Sequence, residues 1–295
     1  MRSGLTELEA ILAVARYGSF RAAAASLEMS TSALSQAVAS LEARIGTRLF
    51  HRTTRSVRLT GAGERFVADI GPALADIRGA LERVSDEGGP PTGTLRINTS
   101  VGAARRVMAP LLIPYMRRYP GVHLDLVTEG RLIDIVREGF DAGFRTEDTV
   151  PGDMVAIPFG PRIRFAVVGS PDYFARHGRP RTPTDLLRHA CIRARMPAGH
   201  IYRWEFTRDG ESVAAEVGGT LTLDEPQLML EAAMAGLGLT YLTEFNVEEA
   251  LASGRLERVL EEWTPPFDRL CLYYPGRRHV PAPLRALIDL IRETG

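Results

Sequence analysis

The sequence contains no lysine, so arginine supplies all 36 of its basic residues. This uniform choice reflects genomic base composition in part, and a single arginine is therefore weaker evidence for a binding role than a cluster of arginines. Cysteine is scarce as well: Cys191 and Cys271 are the two cysteines, and neither belongs to a CxxC pair. This scarcity argues against a disulfide framework or a structural zinc site, and we predict no metal and no other cofactor.

Long apolar segments are also missing. No stretch approaches the roughly 18 uncharged apolar residues that a membrane span requires. At the N-terminus, Glu7 and Glu9 interrupt the segment in which a secretory signal peptide carries an unbroken apolar region. We therefore expect a cytoplasmic protein that makes no contact with a membrane.

Catalytic signatures are absent too. The sequence contains no P-loop, HExxH, GxSxG or protein-kinase motif. Gly236-Leu237-Gly238 is a fragment of a dinucleotide-binding pattern, but it precedes a predicted strand, whereas that pattern requires its glycines between a strand and a helix. We predict that the protein is not an enzyme.

Charge is distributed unevenly along the chain. The formal net charge is zero, yet residues 1–60 contain eight arginines against four glutamates and no aspartate. Residues 43–60 hold five of these arginines and no acid. Such a local excess of positive charge suits a surface that faces DNA phosphates.

Three short helices are predicted before residue 47. Thr6 and Glu9 form a capping-box pattern at the start of the first helix, and Ser19 can cap the second. Ser30 can cap a third helix that ends at Gly46. Two helices joined by a tight turn, of which the second begins with small polar residues, are typical of a helix-turn-helix.

The third helix has two different sides. Its apolar side, which we expect to be buried, consists of Leu34, Val38, Leu41 and Ile45. Its first turns carry small and polar residues away from that side, and these are Thr31, Ser32, Ala33, Ser35 and Gln36. After this helix, β-branched residues alternate with arginine over residues 47–60, which predicts a two-stranded wing with Arg52 and Arg55 pointing to solvent or DNA.

Thr60 can cap a long helix from Gly61 to about Ser85. Apolar residues recur in this helix at spacings of three and four, which is the heptad pattern of a helix–helix dimer contact. The members of this seam are Val67, Ile70, Leu74, Ile77, Leu81 and Val84. The alternative is that the seam packs on the protein's own body, but the position of the helix between two modules favours pairing.

Residues 86–93 have the composition of a hinge. Beyond them, predicted strands alternate with predicted helices, one of which covers residues 131–138, and this alternation indicates an α/β sheet. We therefore predict an N-terminal winged helix-turn-helix (residues 1–60), a linker helix for dimerisation with its hinge (61–88) and a C-terminal α/β domain (93–295).

Several segments support a family resemblance through their order along the chain. In the first 63 residues they are Ser19-Phe20-Arg21-Ala22-Ala23-Ala24, Leu27, Ser30, Leu41-Glu42, Leu49-Phe50-His51-Arg52 and Val57-Arg58-Leu59-Thr60-Gly61-Ala62-Gly63. Later segments are Gly93-Thr94-Leu95-Arg96-Ile97, Asp141-Ala142-Gly143-Phe144-Arg145, Gly236-Leu237-Gly238-Leu239 and Gly254-Arg255-Leu256. Together they resemble the LysR-type transcriptional regulators over nearly the whole chain. Thr243 stands where members often carry Pro, and Leu223-Asp224 stands where Asn-Asp is common.

The resemblance implies a sequence-specific transcriptional regulator whose DNA binding is modulated by a small-molecule effector. It also implies that the C-terminal domain has the two-lobed α/β fold of periplasmic binding proteins. Lobe I would comprise about 93–161 and 269–295, and lobe II about 162–268. A homodimer or homotetramer would read an inverted repeat in double-stranded DNA.

In such a protein the third helix enters the major groove. Thr31, Ser32, Ser35 and Gln36 can hydrogen-bond to base edges or phosphates, and Ala33 can touch a thymine methyl group. Gln36 is the strongest candidate for direct readout because glutamine pairs bidentately with adenine. We expect Arg52 and Arg55 to grip phosphates or to enter a narrow minor groove. The alternative for the two serines is helix capping or ordinary solvation.

The resemblance places the effector between the lobes. The matched positions are Thr99, Ser100, Thr128 and Arg145, to which lobe II adds Met196, Pro197 and Pro226. Backbone N–H groups at the start of the helix after Ser100 attract an anion, and Arg145 can fork a carboxylate. We therefore favour a small metabolite that carries a carboxylate. The alternatives are that Thr99 and Ser100 are only caps and that Arg145 pairs with an internal acid.

Two other classes of protein fit part of the pattern. A transport-type solute-binding protein has the same two-lobed domain, but the basic N-terminal module and the missing signal peptide argue against it. An architectural DNA protein has the basic module, but it has no use for a large α/β half.

Overall fold

The computed structural model describes residues 2–52, 57–85, 89–276 and 280–294. The N-terminal module consists of three helices and a wing. Its elements are α1 (Arg2–Tyr17), α2 (Phe20–Ser26), α3 (Thr31–Ile45), β1 (Phe50–Arg52) and β2 (Val57–Leu59). The two strands pair antiparallel, which confirms the predicted wing.

Local capping explains where α2 and α3 begin and end. The backbone N–H of Ala33 donates to Ser30 Oγ over 3.1 Å at the start of α3. At its end, Gly46 adopts φ +68°, a left-handed conformation that glycine tolerates best. The capping box predicted at Thr6 is wrong, because α1 already begins at Arg2. Gly4 lowers helix propensity by only about 1 kcal/mol and does not stop the helix there.

The linker helix α4 (Gly61–Ser85) has the predicted bounds. The backbone N–H of Gly63 donates to Thr60 Oγ1 over 3.0 Å, which confirms Thr60 as its cap. A Cβ atom at Gly63 would lie 2.1 Å from the carbonyl oxygen of Leu49. Only glycine therefore allows α4 to pass this close to the chain that enters the wing.

Lobe I is built on a five-stranded mixed sheet with the order β4-β3-β5-β14-β6. The strands are β3 (Gly93–Thr99), β4 (Val122–Thr128), β5 (Ala142–Thr146), β6 (Met154–Phe159) and β14 (Leu270–Pro275). The helices of this lobe are α5 (Val101–Val107), α6 (Ile113–Arg118) and α10 (Ala282–Thr294). Apolar residues from both sets form one continuous core.

A π-helical turn, Met108–Leu112, joins α5 to α6. Pro110 lies inside this turn and has no N–H group to donate to the fourth residue before it, so the hydrogen-bond ladder is interrupted there. Residues 101–118 therefore form three consecutive helical pieces.

Lobe II is built on a second five-stranded sheet with the order β11-β8-β12-β7-β13. The strands are β7 (Phe165–Gly169), β8 (Cys191–Ala194), β11 (Leu221–Leu223), β12 (Leu239–Thr243) and β13 (Glu257–Val259). Its helices are α7 (Pro171–His177), α8 (Pro226–Met234) and α9 (Glu244–Ala252), and a separate hairpin comprises β9 (Trp204–Arg208) and β10 (Glu211–Ala215).

Two chain segments connect the lobes, one between β6 and β7 and one between β13 and β14. They pair with each other: the N–H of Ile163 donates to the carbonyl of Asp268 over 2.8 Å, and the N–H of Phe267 donates to the carbonyl of Ile163 over 2.9 Å. The connection is therefore a narrow two-stranded ribbon. This two-lobed arrangement of mixed α/β sheets confirms the predicted fold class.

The helix predicted over residues 131–138 is wrong, because this segment forms turns. Asp134 Oδ1 accepts hydrogen bonds from the N–H groups of Val136 and Arg137 at 3.0 and 3.1 Å. The carbonyl of Arg131 accepts a hydrogen bond from the Arg145 side chain. These side-chain contacts occupy backbone groups that a helix would need. Among the described residues, no helix is long and apolar enough to cross a membrane.

Candidate DNA interface and effector cleft

The face of α3 that was expected to meet DNA is accessible. Leu34, Val38 and Leu41 point into the core of the N-terminal module and are at most 3% exposed. The residues predicted to face DNA lie on the other side, where all are exposed except the half-buried Ser35: Thr31, Ser32, Ala33, Ser35 and Gln36. The two sides of the helix are thus divided as its sequence pattern predicts, except that Ile45, which was expected to be buried, is 39% exposed in the last turn.

A buried ion pair orients α3 against α1. Glu7 is 5% exposed, and its carboxylate accepts from Ser40 Oγ at 2.9 Å and pairs with Arg44 at 2.6 Å. The hydrogen bond from Arg44, with that from Ser40 next in importance, holds the pKa of Glu7 below its usual value. Because both partners of Glu7 lie on α3, the contact fixes how that helix is presented.

The wing arginine Arg52 contacts other residues of the N-terminal module. Its guanidinium pairs with Glu42 Oε2 at 2.9 Å and lies over the Phe20 ring at 4.7 Å. Glu42 Oε1 also accepts from the N–H groups of Leu49 and Phe50. Arg52 thus supports the wing, and with a side chain that is 36% exposed it can offer DNA only part of its donor set. Arg55 lies outside the described residues.

The apolar seam of α4 is divided between two environments. Val67 and Ile70 pack against the core of the N-terminal module, and Leu74 is 3% exposed. These three contacts agree with the alternative in which the seam packs on the protein's own body. Ile77 is 41% exposed and is free for a partner helix. The side chains of Leu81 and Val84 lie outside the described residues, so pairing of the seam stays a prediction.

Strand ends from both lobes define the cleft between them. In lobe I, β3, β4 and β5 run parallel and end together, and Thr99 of β3 pairs in register with Thr128 of β4. In lobe II, the parallel strands β8, β11 and β12 end on one side. Ligands of α/β sheets bind at such carboxyl ends. Met196 and Pro197 follow β8, and Pro226 is the first residue of α8 after β11.

The residues at the end of β3 mainly complete the local structure. Thr99 is fully buried, and Ser100 Oγ accepts from the N–H of Ala103 over 3.2 Å as the cap of α5. The capping alternative therefore describes what Ser100 does in this structure. Thr128 is exposed at the end of β4, with its side chain accessible to a ligand.

Arg145 donates its hydrogen bonds to amide and backbone oxygens and does not present a free fork. Its guanidinium donates to Asn98 Oδ1 at 2.7 Å and to the carbonyls of Glu129 and Arg131 at 2.9 and 3.1 Å. Burial lowers the pKa of Arg145. The nearby carboxylate of Glu129 acts on Arg145 electrostatically and forms its ion pair with Arg131 at 2.9 Å. Arg145 thus holds the 129–131 loop in place.

That loop is where the two lobes touch. A Cβ atom at Gly130 would lie 2.6 Å from the ring of Pro197, so lobe I meets lobe II in direct contact there. Pro197 lies in a turn closed by a hydrogen bond from the N–H of Gly199 to the carbonyl of Met196. Two predicted effector residues, Arg145 and Pro197, are thereby brought together through the loop.

A second contact between the lobes was not predicted. Arg105 of α5 lies 3.6 Å from the carboxylate of Glu225 and 3.5 Å from Gln227 Oε1. Glu225 caps α8 by accepting from the N–H of Leu228, so this cation reaches the start of that helix. The sequence signal was that Arg105 lies five residues after Ser100, in the helix that follows the end of β3.

Metal-ligating clusters are not found in the part of the chain that the structure describes, since no three His, Cys, Asp or Glu side chains converge there. Cys191 and Cys271 are free thiols, 2% and 0% exposed. Burial raises the pKa of Cys191 to about 12 and that of Cys271 to about 11.

A winged helix-turn-helix joined by a long helix to a two-lobed α/β domain defines a one-component regulator, in which one chain both binds DNA and senses a ligand. Residues 5–64 match the family described as bacterial regulatory helix-turn-helix protein, lysR family, and residues 88–295 match the LysR substrate binding domain. The chain belongs to the LysR family of transcriptional regulators. It is a DNA-binding regulator whose C-terminal domain binds a small-molecule effector, and it is not an enzyme.

Known relatives match this chain over almost its full length. The chain is 41% identical to the uncharacterized HTH-type transcriptional regulator YcaN of Escherichia coli, covering 99% of this chain and 96% of that protein. It is 40% identical to the HTH-type transcriptional regulator PgrR of the same organism, covering 100% and 99%. Among solved structures, the full-length Vibrio cholerae virulence activator AphB superposes with a TM-score of 0.64 at 25% identity, covering 97% and 98%.

Proposed function

We propose that the protein binds an inverted-repeat operator as a homodimer or homotetramer and reads its bases with the first turns of α3. The observation that carries this proposal is the accessible row Thr31, Ser32, Ala33, Ser35 and Gln36 on a helix whose opposite side is buried. Gln36 reads a base directly, and the two serines and Thr31 contact base edges or phosphates.

The wing contributes backbone contacts in this proposal. Arg55 binds a phosphate or the minor groove, whereas Arg52 acts mainly by positioning the wing through Glu42 and Phe20. In the proposed division of the chain, residues 1–60 bind DNA, 61–88 link and pair the subunits, and 93–295 sense the effector. A regulator of chromosomal DNA works in the cytoplasm, and we place the protein there.

Footprinting on the DNA upstream of its own gene tests the operator and its reader together. Wild type should protect an inverted repeat at fixed salt. Gln36→Ala should lose about 1–3 kcal/mol of discrimination at one base pair of each half-site. Glu248→Ala truncates an exposed side chain on α9 of lobe II and should leave the footprint unchanged. If Gln36→Ala kept wild-type base preference at every position, Gln36 would not be a base reader.

For the effector we propose a small metabolite with a carboxylate, bound where Thr99, Ser100, Thr128, Met196, Pro197 and Pro226 surround the cleft. Arg145 supports this site indirectly, through the 129–131 loop. Arg105 supports the carboxylate, because its side chain is 46% exposed and pairs with Glu225 only at 3.6 Å. A ligand carboxylate can replace Glu225 as the partner of this cation.

A thermal-shift screen of small carboxylic acids against their amides tests this class of ligand. Acids that bind should raise the melting temperature of wild type, and their amides should not. Arg105→Gln should abolish the shift, while Arg117→Gln, a matched change at an exposed arginine of α6, should preserve it. Equal shifts with an acid and its amide would refute the carboxylate.

A further inference from the structure

An acidic side chain of lobe I, Asp125, contacts the N-terminal module. Arg16, near the end of α1, donates to Asp125 Oδ2 over 2.7 Å. Arg96 of β3 donates to the same oxygen over 2.8 Å. Asp125 lies on β4, 109 positions along the chain from Arg16, so the contact joins two separately folded parts of the molecule.

Asp125 is held rigidly on the lobe I side. Arg96 lies over the Phe140 ring at 4.6 Å and donates to the carbonyl of Gly139 over 2.8 Å. Its backbone N–H donates to Asp141 Oδ2 over 2.8 Å. A carboxylate whose cationic neighbour is fixed in this way presents its oxygen in one direction, which makes it a defined docking point.

Arg16 is equally well connected on the other side. Its guanidinium lies over the ring of Tyr17 at 5.1 Å, and its side chain is 35% exposed. The helix that carries it, α1, packs against both α2 and α3 and is tied to α3 through Glu7. The position of Arg16 therefore determines where the DNA-facing side of α3 points.

The docking point also lies close to the effector cleft. Arg96 and Asp125 pair in register on β3 and β4, and three positions further on the same strands Thr99 pairs with Thr128. Three residues of strand span roughly 10 Å. The same two strands thus carry cleft residues at their ends and the contact to the N-terminal module in their middle.

We propose that Asp125 is a docking point for the N-terminal module and that its ion pair with Arg16 holds the module in one orientation on lobe I. This inference deepens the proposed function, since the orientation of α3 in each subunit determines which half-site spacing the oligomer can read. It does not depend on which residues of α3 read bases.

Spin-label distance measurements on the full-length protein without DNA test the docking. Labels are placed at Arg21→Cys in α2 and Arg285→Cys in α10, both exposed positions, and labelled chains are mixed with excess unlabelled protein to isolate distances within one subunit. Wild type should give one dominant distance. Arg16→Gln and Asp125→Asn should each reduce the population at that distance relative to the others by roughly two- to five-fold, the range of one partly exposed ion pair.

The double variant decides whether the two residues act through each other. Arg16→Gln with Asp125→Asn should shift the population no further than either single change. Arg118→Ala, which breaks the exposed pair with Glu293 inside lobe I, is the matched control and should leave the distances unchanged. Wild-type distances in both single variants, or a double variant that equals the product of the two, would overturn the proposal.

If Asp125→Asn disturbs lobe I, the test rests on Arg16→Gln. The Arg16 substitution leaves the Asp125–Arg96 pair intact. A failed footprint would count against the proposed operator, whereas these distances are measured without DNA. The two proposals can therefore fail separately.

Discussion

The N-terminal module and the sensing domain present their polar residues in opposite ways. On α3, the polar residues of the first turns stand on an accessible surface, and Leu34, Val38 and Leu41 on the opposite side are buried. In the cleft, Arg145 and Ser100 form hydrogen bonds with the protein's own backbone. The DNA-facing side chains of α3 are available to a large partner, whereas some polar side chains of the cleft are needed to hold the cleft in its shape. Polar side chains in a cleft therefore divide between building it and binding in it.

Leu34→Ala is expected to give the largest difference in effect between the N-terminal module and the sensing domain. Leu34 is fully buried in the core of the N-terminal module, and truncating such a residue costs about 2–5 kcal/mol. We expect DNA binding to be lost while the sensing domain stays folded, as measured by amide hydrogen exchange in each region. Ser32→Ala, on the exposed side of the same helix, should leave exchange unchanged. Equal loss of protection in lobe II would show that the two regions unfold together.

Arg145→Met tests whether that arginine builds the cleft. The change leaves Asn98 Oδ1 and the carbonyls of Glu129 and Arg131 without their donor, at a cost of about 2–3 kcal/mol in unfolding free energy. Amides of the 129–131 loop should exchange faster. Arg131→Met, at a side chain that is 63% exposed, is the control with little expected cost. An unchanged loop would place Arg145 among ligand contacts instead.

Glu42→Gln is a milder change on the DNA side. The carboxylate accepts two backbone N–H groups and pairs with Arg52, and an amide can replace only part of this. We expect a loss of about 1–2 kcal/mol in denaturant unfolding. Glu64→Gln, at an exposed residue early in α4, should cost nothing measurable. If Glu42→Gln weakened DNA binding without lowering stability, the pair would serve the interface directly.

The smallest expected effect is the alkylation of the two buried thiols in the folded protein. Burial raises the pKa of Cys191 to about 12, so at pH 8 only about 1 in 10,000 of these thiols is ionised, against roughly a quarter for a free cysteine. Iodoacetamide should leave the folded protein unmodified by mass spectrometry and should alkylate both cysteines in denaturant. Rapid alkylation of Cys191 in the folded protein would reveal an opening of the lobe II core.

The sequence allowed more to be predicted for the N-terminal module because its signals are local. Ser30, Thr60 and Gly46 act within four residues of themselves, and the helix bounds follow from them. The hairpin β9–β10 carried a comparable signal that was missed: Asp209 and Gly210 both adopt positive φ, at 52° and 85°, as the Asp-Gly turn of a hairpin requires.

The cleft resisted prediction because its contacts are distant in sequence. Arg145 was expected to bind a carboxylate, and its actual partners, apart from the carbonyl of the adjacent Phe144, lie between 14 and 47 positions away. Arg105 meets Gln227 over 122 positions. No periodicity reports such pairs, since they depend on how strands of two sheets are ordered. Val67 and Ile70 of the heptad seam have neighbours in the N-terminal module, which agrees with the alternative stated for the seam, and pairing of the seam stays a prediction.

The ribbon between the lobes has a mechanical consequence. Backbone hydrogen bonds between Ile163 and the 267–268 segment resist separation of the two chain segments, whereas a two-stranded ribbon twists readily. We expect the lobes to move by torsion about the ribbon axis. A torsion of a few degrees displaces atoms more the farther they lie from that axis. Residues in a contact such as Gly130 against Pro197 therefore move past each other by an amount that grows with their distance from the ribbon.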